Sequence, residues 1–324
     1  MADTTTVYVG TVGQSVWRSR DGGLSFARSS TGMHSECDVR AMLIDPRDGS
    51  QLLCGNETGL FRSENAAESW SRVDGPLTGS QVWSLARDPA SPDTIYAGSC
   101  PADLWKSTDN GLTWTLLDAA IPRECVGGAP LLPRVTCILC DPMDGAVFAG
   151  VEIAGARRSL DGGDSWTVLK EGLSSLDIHG LAAVWTNGKR TLLATTNNDV
   201  NRSEDDGDTW VPLRVSETWP WRYSRACRAT LEDPSTVWVG AGNGPPGNQG
   251  GLYQTRDLGA TWERLGLPQV TNSTVWNFGF NPADPQRVYV TSVSGQLFRT
   301  LDGGDTWTKL PMEFGEVRQV AWTP

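Results

Sequence analysis

Positive charge is scarce in this chain. Its 324 residues hold 27 Lys and Arg against 38 Asp and Glu, a net charge of −11. A surface so acidic repels phosphate backbones and argues against a nucleic-acid partner. No apolar run approaches the roughly 18 residues that a membrane-spanning helix needs, so no membrane insertion is expected. Histidine is almost absent, with only His34 and His179. No Gly-x-Ser-x-Gly nucleophile turn, phosphate-binding glycine loop or metal-ligand cluster occurs, so the sequence calls for no cofactor or metal and leaves open whether the protein is an enzyme. Cysteine comes to an odd seven, which implies no disulfide framework and fits a reducing compartment. Cys137 and Cys140 form a C-x-x-C, but on a predicted strand residues three apart face opposite sides, and no second pair completes a zinc site. Met1–Thr6 is polar and runs straight into the strand-like Val7-Tyr8-Val9-Gly10. That leaves no room for a signal peptide, and a cytoplasmic location is expected unless an export signal was removed.

Glycine, proline and tryptophan, in contrast, are plentiful (36, 19 and 15). Gly and Pro punctuating short apolar runs point to an all-β protein with frequent turns. One pattern explains most of them. Ser/Thr-x-Asp-x-Gly-x-Ser/Thr-Trp recurs with its third residue at Asp21, Asn65, Asp109, Asp161, Asp205, Asp257 and Asp302. The spacings are 44, 44, 52, 44, 52 and 45 residues, the period of four-stranded propeller blades. Each Asp has a structural role, accepting hydrogen bonds from the amides of its own turn. The Gly supplies a positive φ, and the aromatic residue packs into the blade. The Asn65 copy keeps the acceptor, and the alternating oxygen ligands of a calcium loop are missing.

Ahead of each such turn lie two further strands. One begins at Val7, Leu52, Ile95, Val147, Leu192, Val237 and Val288. The other precedes it and usually ends in Asp-Pro or Asn-Pro. The chain starts on a second strand and finishes on a lone first strand, Val317 to Trp322. The reading is therefore one domain, 1–324. It is a closed propeller of seven blades with four antiparallel strands each, in which the C-terminal strand completes the N-terminal blade and leaves no open first or last blade edge.

Turns such as Ser159-Leu-Asp-Gly-Gly-Asp-Ser-Trp166 resemble the Asp-box, or BNR, repeats of the sialidase-like superfamily. With its Asp-Pro turns the whole chain is similar to photosystem II stability/assembly factor-like propellers and to the propellers of xyloglucan-degrading glycosidases and sortilin-type receptors. The resemblance implies the fold far more than the function. The Arg-Ile-Pro of sialidases is absent, which argues against sialidase chemistry. Xyloglucan hydrolases place their acids between two propellers, whereas one is read here.

Strand order puts the Asp turns on one face. The loops leading into each innermost strand lie on the other, here called the mouth face. Three of its connections are enlarged: 116–134, 214–225 with Trp219-Pro220-Trp221-Arg222-Tyr223, and 240–251. Function concentrates on such loops. Counting five residues back from each Asp-Pro or Asn-Pro turn, and aligning the two blades without one by their apolar pattern, gives a ring of Arg318, Arg40, Trp83, Thr136, His179, Arg228 and Trp276, each preceded by a small or apolar residue such as Val39 or Cys227. Arginine forks suit carboxylates and phosphates. The ring with Trp219, Trp221, Arg222 and Tyr223 reads as a mouth for a small anionic, aromatic or carbohydrate-like ligand, with His179 as a proton carrier if the protein is a hydrolase or lyase. A protein-binding assembly role is the third alternative. Purely structural roles compete with all three: the arginines pair with Glu57, Glu124 or Glu152, and the tryptophans pin loops or pack between blades.

Overall fold

A computed structural model describes residues 3–124 and 132–324; Cys125 and the middle of the 116–134 connection lie outside them. The described chain forms seven four-stranded antiparallel sheets, with one short 3-10 turn, Val215–Glu217, as its helical content. The innermost strands are Val317–Thr323, Ala41–Asp45, Gln81–Arg87, Val135–Cys140, Ile178–Thr186, Tyr223–Ala229 and Val275–Gly279. Each contacts the next around a closed circle, and Val317–Thr323 meets Ala41–Asp45 to finish it. The closing strand pairs with Thr6–Thr11, placing Val9 opposite Val320 and Val7 opposite Trp322. Trp322 is buried, and its indole N–H donates to the Gly279 carbonyl of the neighbouring blade at 3.0 Å.

The core lies between blades rather than within them. Alternation sends one side of each pleated strand toward the next sheet, so clusters such as Tyr8, Val39, Cys54 and Trp70 mix residues of adjacent blades. The repeated turns hold the outer hairpins. Asp205 Oδ1 accepts from Ser203 Oγ (2.8 Å) and the Thr209 amide (2.9 Å), and Oδ2 accepts from Thr209 Oγ1 (2.6 Å). Ser203 Oγ in turn accepts from the amide of Gly207, whose φ is +93°. Asn65 keeps the first oxygen of this arrangement and replaces the second with an amide that donates to Ser69 Oγ.

The innermost strands share a further device. Register slips by one residue at Arg318, Trp83, Thr136, His179 and Trp276, each skipped by its partner strand, and at Arg225-Ala226 in the sixth blade. Arg40 holds the same place just ahead of its strand, its amide donating to the Gly55 carbonyl. Such bulges turn a side chain out of the sheet, here toward the mouth of the channel. A glycine beside most of them lets the next blade press close. A Cβ on Gly55 would lie 2.6 Å from Val82, and one on Gly240 would lie 2.6 Å from the Val275 carbonyl oxygen.

Candidate functional site

A cavity of about 770 Å³ opens on the mouth face, off-centre above the blades that carry the long loops. It draws together residues remote in sequence, among them Trp83, Arg134, His179, Arg225, Trp276 and Arg318. Trp221, Arg222 and Tyr223 enter from the 214–225 connection.

Guanidinium–indole stacking organises the floor. Arg40 and Arg134 both lie over Trp83, each 4.3 Å from a ring centroid. Arg225 and Arg318 both lie over Trp276, at 4.2 and 4.4 Å. Such contacts attract the cation to the ring face and hold the planar guanidinium in one orientation. Most bulged residues also take a partner two positions earlier, on the same side of the extended chain. Arg40 donates to Asp38 at 2.9 Å, Arg318 pairs with Glu316, and Trp83 Nε1 donates to Gln81 Oε1 at 3.0 Å. His179 Nε2 lies 3.2 Å from Asp177 Oδ2. Arg134 is neutralised by Glu152. Glu57 instead accepts from the Asp38 amide, and Glu124 makes no ion pair among the described residues.

His179 is buried, and its Nδ1 faces the Ser224 carbonyl at 2.8 Å while Nε2 faces Asp177. Two acceptors around one imidazole suit the doubly protonated ring. Burial and the charge of Arg225 pull the pKa of His179 down, against the stabilising carboxylate of Asp177. Burial pushes the Asp177 carboxyl up, but the hydrogen bond and charge of His179, with Arg225 and Arg134, outweigh it and hold the carboxyl below its ordinary value. The buried Arg318 guanidinium, near Arg225 and Arg40, is pushed down to about 10 despite Glu316. The geometry therefore holds His179 between two fixed acceptors with Tyr223 packed on its ring, 5.0 Å between centroids, and its lowered pKa favours the neutral ring at neutral pH.

Several expected residues sit elsewhere. Arg228 is outside the cavity, its guanidinium reaching the Phe278 carbonyl and the Phe280 ring; Arg225 takes the mouth position. Likewise Ser224, and not Cys227, precedes the bulge. The cause is the turn. Thr230 makes the backbone bond that Asp88 makes in the third blade, but here the Asp-Pro falls three residues further on, at Asp233. Counting back from it lands late. Arg40 stands behind Trp83 without lining the cavity. Thr136 turns its hydroxyl to the Ile178 and Gly150 carbonyls. Trp219 is buried, stacked on Tyr253 at 4.0 Å and edge-on to Trp262, so it anchors its loop and shows the cavity only a rim. Trp221 is a half-buried wall beside Arg264. Arg134, Glu152 and Asp177 were not in the ring read from sequence. The signal for Arg134 and Asp177 was their place two residues before Thr136 and His179. Cys137 and Cys140 are free, and burial pushes Cys137 up to about 11, which leaves an inert thiol.

No family model matches this sequence. A xyloglucanase of Paenibacillus sp is 24% identical over 307 residues, covering 78% of this chain and 29% of that protein. The xyloglucanase Xgh74A of Acetivibrio thermocellus is 24% identical over 303 residues, covering 78% and 35%. The chain thus spans about a third of the length of these curated relatives. Among solved structures, the GH74 xyloglucanase from Xanthomonas campestris superposes with a TM-score of 0.69 at 18% identity, covering 97% of this chain and 52% of that one. YCF48 from Cyanidioschyzon merolae does so with 0.56 at 16%, covering 85% of each. At these identities the likeness establishes a shared propeller fold.

Proposed function

We propose that this propeller binds a carbohydrate-like ligand in the mouth-face cavity. The observation that carries the reading is the make-up of that cavity. Its roughly 770 Å³ falls in the range of about 300–1,000 Å³ typical of small-molecule sites. Trp221 offers an aromatic face, the guanidinium-covered Trp83 and Trp276 border the floor, and Asn197, Ser216 and Asn243 stand around them. A sugar presents an apolar ring face and a rim of hydroxyls, and such walls match both. The xyloglucanase names of the relatives support a glycan, and a concave site suits a small ligand better than the flat surface of a protein partner.

Hydrolysis is the second reading, favoured by the same relatives. Among the described residues, Glu152 and Asp177 are the carboxylates that line the cavity. A glycosidase of the usual kind needs one carboxyl kept protonated and a second ionised. Here Glu152 is tied to Arg134, Asp177 is bonded to His179, and Asp177 is held toward its ionised form. That arrangement supports binding over bond cleavage within this cavity.

Calorimetric titration with xyloglucan heptasaccharide, cellotetraose and trigalacturonic acid, with product analysis after prolonged incubation, tests both readings. Saturable binding without cleavage, weakened in Trp221→Ala, is expected. Failure of every sugar to bind folded protein contradicts the proposal, and cleavage that Asp177→Asn abolishes transfers it to the second reading.

A further inference from the structure

The charges of the cavity do not cancel. Arg134 and Arg318 each face a carboxylate, and so does Arg40 behind them, while Asp177 faces His179, whose lowered pKa favours the neutral ring. Two cations are left over among the described residues: Arg222, exposed at the rim, and Arg225, partly buried on the floor. Arg225 has no ion pair, and its polar neighbour is the Tyr223 hydroxyl, a weak acceptor. Its guanidinium lies over Trp276, so one face is covered, and among the described residues no carboxylate takes its edge. An edge of parallel N–H donors beside a water-poor aromatic wall is the arrangement that receives a carboxylate by two hydrogen bonds.

Resting on the glycan reading, we propose that the ligand is an acidic sugar whose carboxylate, as in a uronic acid residue, is received by Arg225. A dianionic phosphate fits less well, because Asp177, whose charge a neutral His179 does not cancel, lines the same cavity and repels a second negative charge. A simple aromatic carboxylate leaves the polar wall idle. Asn197 and Ser216 make no side-chain hydrogen bond within the described protein, and both line the cavity, as ring hydroxyls require. The neighbouring groups position Arg225: Arg318, paired with Glu316, shares the Trp276 ring with it, and Asp177 lies near enough to feel its charge without forming an ion pair with it. An acidic protein thus keeps a local positive focus that gathers anions.

The test titrates wild type, Arg225→Ala and Arg225→Lys with trigalacturonic acid, cellotriose, benzoate and inorganic phosphate, with thermal melts for each variant. Trigalacturonic acid is expected to bind wild type at least about tenfold tighter than cellotriose, benzoate or phosphate. Arg225→Ala is expected to lose about tenfold or more for the acid, and to lose far more for the acid than for cellotriose, the scale of one charge-assisted fork. Arg225→Lys keeps the charge without the fork and should fall between. Equal affinity for cellotriose and trigalacturonic acid, or benzoate or phosphate binding as tightly as the acid, overturns the inference. Binding of neither sugar brings down the glycan reading itself, so the two failures are distinct.

Discussion

Arg225 and Trp276 come from different blades and lie 51 residues apart in sequence, yet the guanidinium rests 4.2 Å from the centre of an indole ring. Arg318, from the strand that closes the propeller, lies over the same indole at 4.4 Å. One tryptophan therefore fixes two cations from the blades on either side. Trp276→Ala should cost about 3 kcal/mol, the low end for a buried aromatic that also borders a cavity. Trp276→Phe should recover most of that. Urea denaturation of the pair of variants checks it; equal losses would mean the ring face is irrelevant.

Closure is a separate claim. Val317–Thr323 supplies the inner strand of the sheet that begins with Thr6–Thr11. Removing residues 317–324 exposes the edge of Thr6–Thr11 and empties the pocket filled by Trp322. The expected outcome is aggregation and loss of a single cooperative melt. Trp322→Ala, which keeps the strand, should remain folded but less stable by about 3–5 kcal/mol. A truncated protein that melts like wild type would contradict closure.

The glycines beside the bulges are set by space. A Cβ at Gly240 meets the Val275 carbonyl oxygen at 2.6 Å, a backbone atom that cannot swing aside. Gly240→Ala should lower stability by about 1–3 kcal/mol, as overpacking does. Gly145, where a Cβ meets nothing within 4 Å, is the comparison, although its φ of +76° adds its own strain. Thermal melts showing Gly240→Ala unchanged would contradict the close approach of these blades.

The turn aspartates carry an acid signature. Burial pushes Asp21 and Asp109 up slightly, but hydrogen bonds from Ser19, Ser25 and the Ser25 amide at Asp21, and from the equivalent groups at Asp109, hold both at about 2. Asp302 is held at about 2 by Thr306 and Thr300. A carboxylate whose folded pKa lies below its unfolded value of about 3.9 adds stability in full above that value and loses it as pH falls toward the folded one. The melting temperature should therefore drop steeply between about pH 4 and pH 2. Asp205→Ala should flatten that drop slightly, lower stability by about 1 kcal/mol after solvent screening, and leave ligand binding alone. Loss of binding in a folded Asp205→Ala protein would assign the turns a functional part.

The sequence pattern displayed the blade period, the turn chemistry and the bulged ring at Arg318, Arg40, Trp83, Thr136, His179 and Trp276 because each follows from local spacing. Arg225 escaped because spacing was counted from an Asp-Pro that slides within its turn, whereas the bulge is set by pairing with Ala241 and Val239. Trp219 escaped because an aromatic loop residue that anchors and one that binds have the same local sequence; Tyr253 and Trp262, which bury it, lie on a strand and a turn more than thirty residues on. The charge state of the mouth was hidden for a related reason. Its cations are compensated at the two-residue spacing of a strand, as in Asp38–Arg40, or across blades, and that was legible only once the strand faces were known.

The central claim is that the ligand sits on the mouth face, and a crystal structure of the protein soaked with trigalacturonic acid and, separately, xyloglucan heptasaccharide tests it most directly. The account predicts sugar density in the cavity, with a ring against Trp221 and polar contacts to Asn197 or Ser216. Density confined to the face of the Asp turns, or an empty cavity in crystals of protein that binds the same sugar in solution, would contradict it.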